Sequence, residues 1–225
     1  MRQGAVKQMK ILAITFLCCA STCVTAASND EQFAQLVTNH INVLSQGKHD
    51  DPEFISGLRT LASENHRESQ FFLGTQVFTG AIDGEEGIKW LHRAEGNGCA
   101  GAAGAIGQMY FGGMHVPKDE AMGLHWLRSA AERGELMSQV FLASLYASGA
   151  YGISKDLARA YSWMYQASKA GTDKPEIALL TGSLVNWEKT LSPEQVREAR
   201  KMADARAEKI GGVPRYFCAQ MIPLR

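Results

Sequence analysis

Glycines that could hold a phosphate group occur in the stretch EGNGCAGAAGAIGQMYFGG, residues 95–113. Gly96, Gly98 and Gly101 form a G-x-G-x-x-G pattern, which in dinucleotide-binding proteins follows a strand and opens a helix that faces the pyrophosphate. Here the preceding residues, GIKWLHRAE, have the apolar spacing of an amphipathic helix and not that of a strand. The sequence therefore does not predict a dinucleotide site.

Other residues with catalytic or metal-binding potential are isolated. The chain has no G-x-S-x-G, H-E-x-x-H, C-x-x-C or Walker motif. His115 and Asp119 share one predicted loop, but two side chains do not make a metal site. His92 and His125 lie beside tryptophans, which is typical of packing or surface residues, and HDD at residues 49–51 is typical of a helix start. We expect no catalytic residue, no metal ligand and no cofactor, and the chain is not predicted to be an enzyme.

The N-terminus has the three parts of a secretory signal peptide. Basic MRQGAVKQMK is followed by apolar ILAITFLCCASTCV and by small residues before a cleavage site, so residues 1–26 are predicted to be removed. We expect a periplasmic or secreted protein. An uncleaved anchor is less favoured because the apolar run is shorter than the ~20 residues that a span needs. A lipoprotein is less favoured because Cys23 follows a poor lipidation box, and the chain starts at Met1 or Met9.

Removal of the signal peptide leaves 20 basic and 23 acidic residues, because three of the 23 basic residues and no acidic residue are lost. This charge gives no electrostatic reason to expect nucleic acid or anionic lipid as a partner. No second apolar run of membrane-spanning length follows, so no stable membrane insertion is expected. Of the five cysteines only Cys99 and Cys218 remain. They are candidates for a disulfide, and the alternative is that Cys99 is a small buried residue.

A repeat of 33 to 37 residues organises the rest of the chain. Tryptophan recurs at Trp90, Trp126 and Trp163, at steps of 36 and 37, and a glycine follows each tryptophan eight residues later. The segment DEAMGLHWLRSAAERG aligns with DLARAYSWMYQASKAG, and a weaker copy, LGTQVFTG, lies upstream of IGQMYFGG. Many positions share this one period, which is typical of stacked structural repeats.

Each repeat has the apolar spacing of two helices. A single pair of such helices cannot bury its apolar face alone, so neighbouring pairs must stack on each other. The sequence predicts an all-α fold, a right-handed α-solenoid of stacked antiparallel helix pairs with terminal capping helices. In this register Gly98 and Gly134 lie in turns, whereas Gly101, Gly104 and Gly107 fall inside the next helix. Small residues there would let that helix approach its neighbours closely.

These positions resemble the Sel-one-like repeat family, which is related to tetratricopeptide repeats. The resemblance is carried by IGQMYFGGMHVPKDEAMGLHWLRSAAERG and LASLYASGAYGISKDLARAYSWMYQASKAG. Two departures concern the loop between the helices of a repeat: His115 replaces the second loop glycine, and Ala150-Tyr151 adds one residue.

The predicted organisation has five parts. Residues 1–26 are the signal peptide, 27–50 an N-terminal capping helix, 51–190 the repeat array, 191–212 a C-terminal capping helix and 213–225 an apolar tail. The C-terminal helix is expected to begin with Ser192 as N-cap and Pro193 at the first helical position, with Gln195 completing a capping box.

The resemblance implies a binding function, because members of this family generally act as adaptors in protein complexes and in envelope or host-interaction pathways. We therefore expect an exported scaffold with a protein or peptide partner. The alternative is a cell-envelope hydrolase acting on β-lactam or peptidoglycan-type substrates, as is associated with cysteine-rich relatives. Those relatives have a cysteine pair in each repeat, whereas the repeats here have only Cys99.

In related repeats the first helix of each unit lines the concave side, which implies where the partner binds. The implied residues flank the positions of the L-G-x-x-Y pattern, and they are Phe71, Thr75, Phe78, Gln108, Phe111, Val140 and Ser144. Three phenylalanines among seven residues favour an interaction surface. The centre is predicted at Phe78, Gln108 and Phe111. The alternative is that the rings are ordinary core, above all Phe71.

Overall fold

The computed structural model describes residues 29–45, 51–169 and 182–210. The predicted signal peptide, the apolar tail and Gly171 lie outside the described residues. In the described ranges the regular structure is helical and contains no strand, which confirms the predicted all-α fold. The helices are α1 (29–45), α2 (Pro52–Ser63), α3 (Arg67–Thr75), a 3-10 helix (Gln76–Thr79), α4 (Gly84–Gly96), α5 (Ala100–Gly112), α6 (Glu120–Glu132), α7 (Leu136–Ser148), α8 (Leu157–Lys169), α9 (Ser183–Thr190) and α10 (Pro193–Lys209).

The chain divides into two compact units, Met1–Gln70 and Phe71–Arg225. None of the helices in the described ranges combines the length and the apolar content that a membrane crossing needs.

In the first unit, Asp51 starts α2. Its carboxylate accepts a hydrogen bond of 3.0 Å from the amide of Phe54, and Pro52 occupies the first turn. The ring of His40 stacks on Phe54 at 3.9 Å, and its Nδ1 lies 2.8 Å from Asp51 Oδ2. Burial works against ionisation of Asp51, but the hydrogen bonds from His40 and Phe54 outweigh it and lower the pKa of this carboxyl. The prediction of a helix start at this polar turn is confirmed.

In the second unit, an aspartate begins the second helix of each repeat. Asp83, Asp119 and Asp156 accept hydrogen bonds of 2.8, 2.8 and 2.9 Å from the amide three residues further on. Each such bond satisfies an amide that the first turn of a helix leaves without a partner, which stabilises the helix by about 1 kcal/mol. The recurrence of aspartate in the sequence is therefore a recurrence of helix caps.

Glycines close the turns of the repeats. Gly98 and Gly134 have φ of 89° and 91° in the turns that precede α5 and α7, as predicted. Gly113 and Gly149 end α5 and α7 with φ of 69° and 71°. Left-handed backbone of this kind is accessible to glycine without the steric cost that other residues incur.

In two of the repeats, the two helices of the pair approach each other closely at glycines. A Cβ added to Gly107 on α5 would lie 2.9 Å from the amide nitrogen of Leu127 on α6, and one added to Gly123 on α6 would lie 2.7 Å from that of Phe111. Gly74 and Gly87 make the equivalent approach one repeat earlier. The prediction that small residues bring α5 close to its neighbours is confirmed.

The predicted start of the last helix is also confirmed. Ser192 caps α10, Pro193 opens it, and Ser192 and Gln195 form the capping box. Ala199 and Ala203 of this helix are buried. Two arginines connect α10 to α8: Arg200 bonds the hydroxyl of Tyr161 and the carboxylate of Glu188, and Arg206 lies over the Trp163 ring at 3.9 Å. Arg206 also donates hydrogen bonds to Gln166 and Ser162, while its burial lowers the pKa of its guanidinium.

Candidate functional site

The seven residues predicted to bind a partner lie on α3, the 3-10 helix, α5 and α7. Phe78 and Ser144 are exposed, with 42% of Phe78 accessible, whereas Phe71, Thr75, Gln108 and Val140 are half-buried. Phe71 packs edge-on against Phe72 at 5.8 Å, and its ring lies beside Gly101 of α5. Whether these residues bind a partner stays a prediction.

Phe111 differs from the expected exposed ring. Only 8% of this residue is accessible, because its ring lies edge-on between Phe141 at 5.2 Å and Tyr151 at 4.7 Å. The expectation that Phe111 presents a solvated ring beside Phe78 is therefore wrong, and its main role is to pack the core between α5, α7 and the following loop. The sequence alone did not show that Phe111 is buried, because Tyr151, which covers it, lies in a loop that has no equivalent of the same length in the preceding repeat.

Phe111 also lines a cavity of about 900 Å³, which we call the loop cavity. Its walls come from α6, the end of α7, the 150–156 loop, the start of α8 and the start of α10. The residues used below that line it are Phe111, Glu120, Arg128, Tyr146, Tyr151, Lys155, Asp156 and Arg159. This volume falls in the range of pockets that bind small molecules or side chains. Of the seven predicted partner-binding residues, only Phe111 lines the loop cavity.

Tyr146 holds two arginines at the wall of the loop cavity. It is itself 6% accessible, and its hydroxyl accepts a 3.3 Å hydrogen bond from Arg128 of α6. The guanidinium of Arg159 on α8 lies over the same ring, 5.1 Å from its centroid. A buried phenol thus orients two exposed cations toward one cavity. Sequence reasoning missed them, since the two arginines are 31 positions apart and occupy different places in their repeats.

The loops between paired helices show why the possible metal ligands are structural. Asp119 is the N-cap of α6, so its carboxylate is already used. His115 has φ of 59° and Gly152 has φ of 71°, so the histidine adopts the left-handed backbone that glycine adopts in the next repeat. Its Cβ also lies against Gly84 at the start of α4. No group of three or more metal-binding side chains occurs within the described ranges.

In the first unit, one histidine lies within hydrogen-bond distance of a serine on one side and of an aspartate on the other. His66 Nδ1 lies 2.7 Å from Ser69 Oγ, and its Nε2 lies 3.0 Å from Asp30 Oδ1. This arrangement resembles a catalytic triad in composition, but Ser69 is fully buried and substrate has no access to its hydroxyl. The Ser69 amide also donates to His66 Nδ1 at 3.2 Å. His66 therefore acts as a cap for the first turn of α3.

The histidines beside the repeat tryptophans are exposed and pack at ring edges. Trp126 meets His92 at 5.7 Å and His125 at 6.1 Å, both nearly perpendicular to it. Trp126 is half-buried, whereas Trp163 is 6% accessible. The repeated tryptophan therefore does not have the same burial in each repeat.

Cys99 lies at the start of α5 and is fully buried. Its sulfur accepts a hydrogen bond of 3.3 Å from the amide of Ala102, so it caps the helix. It is disulfide-bonded. Cys218 lies outside the described residues, so the pairing of Cys99 with Cys218 stays a prediction.

Comparison with known proteins identifies the repeats. The Sel1 repeat family model matches residues 67–99, 100–135 and 136–172. These segments contain α3 with α4, α5 with α6, and α7 with α8, so each match is one helix pair. The chain therefore contains three Sel1 repeats, which confirms the resemblance seen in the sequence. Helical scaffolds built from Sel1 repeats typically mediate protein interactions and are generally not catalytic.

Solved structures agree on the fold. The chain is similar to a protective antigen present in uropathogenic Escherichia coli strains that displays an SLR fold, with a TM-score of 0.64 and 24% identity over 81% of this chain. It spans only 38% of that antigen's length. It is also similar to a Sel1 repeat protein from Oxalobacter formigenes, with a TM-score of 0.54 and 23% identity, over 76% of this chain and 71% of the other. At these identities the similarity shows the fold alone.

Proposed function

We propose that this protein is an exported helical-repeat scaffold that binds a protein or peptide partner through the first helices of its repeats and acts as an adaptor in envelope or host-interaction complexes. The observation that supports it most is the exposure of Phe78 on the first of three Sel1 repeats. Aromatic rings on a protein surface are frequent anchors in protein recognition.

The position of Phe78 is fixed by its neighbour. Val77 is 1% accessible and packs against Gly87 of α4, where an added Cβ would lie 2.7 Å from Val77 Cβ. Because Val77 is held in the core, the side chain of the next residue is directed to the surface of the 3-10 helix. The backbone that carries this ring is therefore held in place before a partner binds, which reduces the cost of ordering it.

A capture experiment tests the role of Phe78. The purified protein, crosslinked in an extract of the producing cell's envelope, should enrich a defined partner, and Phe78→Ala should reduce the yield. Met122→Ala is the matched control, since Met122 is equally accessible at 42% but lies on the second helix of its repeat. Equal yields from Phe78→Ala and Met122→Ala would show that the first-helix surface is not the binding site.

Export is tested by cell fractionation. The basic and apolar segments of residues 1–26 support a cleaved signal peptide. The protein should therefore occur in the periplasm or medium, and its mass should correspond to a chain that starts at about residue 27. Retention of the uncleaved chain in the cytoplasm would contradict the proposal.

A further inference from the structure

We propose that the loop cavity binds an acidic segment of a partner protein, with side-chain carboxylates on Arg128 and Arg159 and an apolar side chain against Tyr151. The inference rests on the proposed protein-binding function and gives the chemistry of the partner at one place on the scaffold. Charge complementarity is the main argument, and the pre-formed geometry of the arginines is the second.

The cations of the loop cavity exceed the carboxylates that face them. Arg128, Lys155 and Arg159 line the cavity together with Glu120 and Asp156. Within the described part of the chain, neither Arg128 nor Lys155 forms an ion pair. These two side chains are exposed to solvent, so an incoming anion can reach both.

Both lining carboxylates are already engaged. Glu120 Oε1 lies 2.7 Å from Lys118 Nζ. Asp156 caps α8, and its second oxygen is 3.5 Å from Arg159 Nε. Arg128 and Lys155 therefore remain for a ligand. Arg159 can also bind a ligand carboxylate, because its 3.5 Å contact with Asp156 is longer than an ordinary hydrogen bond. One chain terminus supplies a single carboxylate, whereas a segment with several Asp or Glu residues supplies one for each cation, so the acidic segment is the better match.

The two arginines are positioned before any ligand binds. The Arg128 guanidinium is held by the Tyr146 hydroxyl at 3.3 Å, and that of Arg159 lies over the Tyr146 ring at 5.1 Å. A guanidinium binds a carboxylate through two parallel hydrogen bonds, which requires a fixed orientation. Pre-orientation by a buried tyrosine reduces the entropy that binding would cost.

Tyr151, in the loop that has one additional residue, forms the apolar part of the wall of the loop cavity. Tyr151 belongs to the Ala150-Tyr151 insertion, has φ of 55° and is 55% accessible. A left-handed backbone is unfavourable for tyrosine and persists only where surrounding contacts hold it, which is frequent at binding sites. Here Tyr151 packs edge-on against Phe111 at 4.7 Å. Lys118 Nζ lies 6.0 Å from the centroid of the same ring, and more than half of Tyr151 is still accessible to an apolar side chain next to the carboxylates.

NMR titration of the ¹⁵N-labelled protein tests the site. The probe is the peptide N-acetyl-Glu-Phe-Glu-amide, and the matched peptides are N-acetyl-Gln-Phe-Gln-amide, which lacks the charges, and N-acetyl-Glu-Ala-Glu-amide, which lacks the ring. The first peptide should shift the Nε–Hε signals of Arg128 and Arg159 and the amide signal of Tyr151. It should bind at least about tenfold more tightly than the uncharged peptide, and more weakly as salt is added.

Two variants show whether the charged peptide binds in the loop cavity or elsewhere on the surface. Arg128→Gln, which keeps a donor for Tyr146, should weaken binding of the charged peptide about tenfold because a charge-assisted hydrogen bond is lost. Lys89→Gln, at an exposed lysine of α4 paired with Glu85, should not weaken it. Equal affinity of the charged and uncharged peptides, or of the two variants, overturns the proposal, as does the absence of shifts at both arginines at millimolar peptide.

The capture experiment distinguishes this inference from the proposed function. If Phe78→Ala reduces capture and Arg128→Gln does not, partner binding by the first helices stands and the loop-cavity proposal is wrong for that partner. If the wild-type protein enriches no partner, the proposed function is wrong. The peptide titration then decides by itself whether the loop cavity is an acidic-peptide site.

Discussion

Replacement of Gly123 by alanine tests how closely α5 and α6 pack. A Cβ at this position would lie 2.7 Å from the backbone nitrogen of Phe111 and 2.8 Å from its Cα and Cβ, where ordinary contact begins at 3.4 Å. The obstacle is backbone, so no side chain can rotate away. The helices would have to separate by about 0.7 Å, and such overpacking typically costs ~1–3 kcal/mol.

The Gly123→Ala replacement also has a stabilising effect, which is smaller than the cost of overpacking. Alanine is a better helix former than glycine by up to ~1 kcal/mol in a helix interior. Separation of the helices would also loosen Leu127, which is fully buried at this contact. We therefore expect a net loss of about 1–2 kcal/mol in the free energy of unfolding, which lowers the melting temperature by roughly 2–8 °C for a chain of this size.

Urea and thermal unfolding followed by circular dichroism measure this effect, with Gly96→Ala as the control. Gly96 ends α4 and an added Cβ there meets no atom within 4 Å, so its replacement should be neutral or slightly stabilising. The third repeat has Ala143 and Ala160 where the second has Gly107 and Gly123, so a comparison of the repeats alone would judge Gly123→Ala harmless. A Gly123→Ala protein as stable as wild type would refute the packing argument.

Two further predictions concern the helix starts. Asp51→Ala should cost ~1 kcal/mol at neutral pH through loss of the α2 cap. The pKa of Asp51 is lowered, so its stabilisation is complete above the ordinary aspartate pKa of about 3.9 and falls as pH drops through the lowered value. Unfolding curves of wild type and variant should therefore converge in acid, and a constant difference down to pH 2 would contradict this. We also expect Cys99 to pair with Cys218, which peptide mapping by mass spectrometry without reduction should show as one linked peptide. Linkage of Cys99 to any other cysteine would exclude this pairing.

Interactions within a few residues were predictable from the sequence. The capping box of Ser192 and Gln195, the start of α2 at Asp51 and the turn at Gly98 all depend on hydrogen bonds or dihedral angles of neighbouring residues. Helix caps and turns of this kind require particular residue types at a fixed spacing, so they can be recognised in the sequence. The period of 36 and 37 residues also predicted the helix pairs, since one apolar face per pair requires a neighbouring pair.

Contacts between distant residues were decided by the tertiary structure. Phe111 was predicted at a surface, but the ring of Tyr151 covers it, and the inserted residue had no equivalent in the other repeat from which its place could be read. The loop cavity was not predicted for a similar reason, because Arg128 and Arg159 come together only when α6 and α8 both pack against Tyr146. A sequence determines which residues recur and what each helix can bury. The distance between two helices and the side chains that meet there depend on how all the surrounding atoms fill space together.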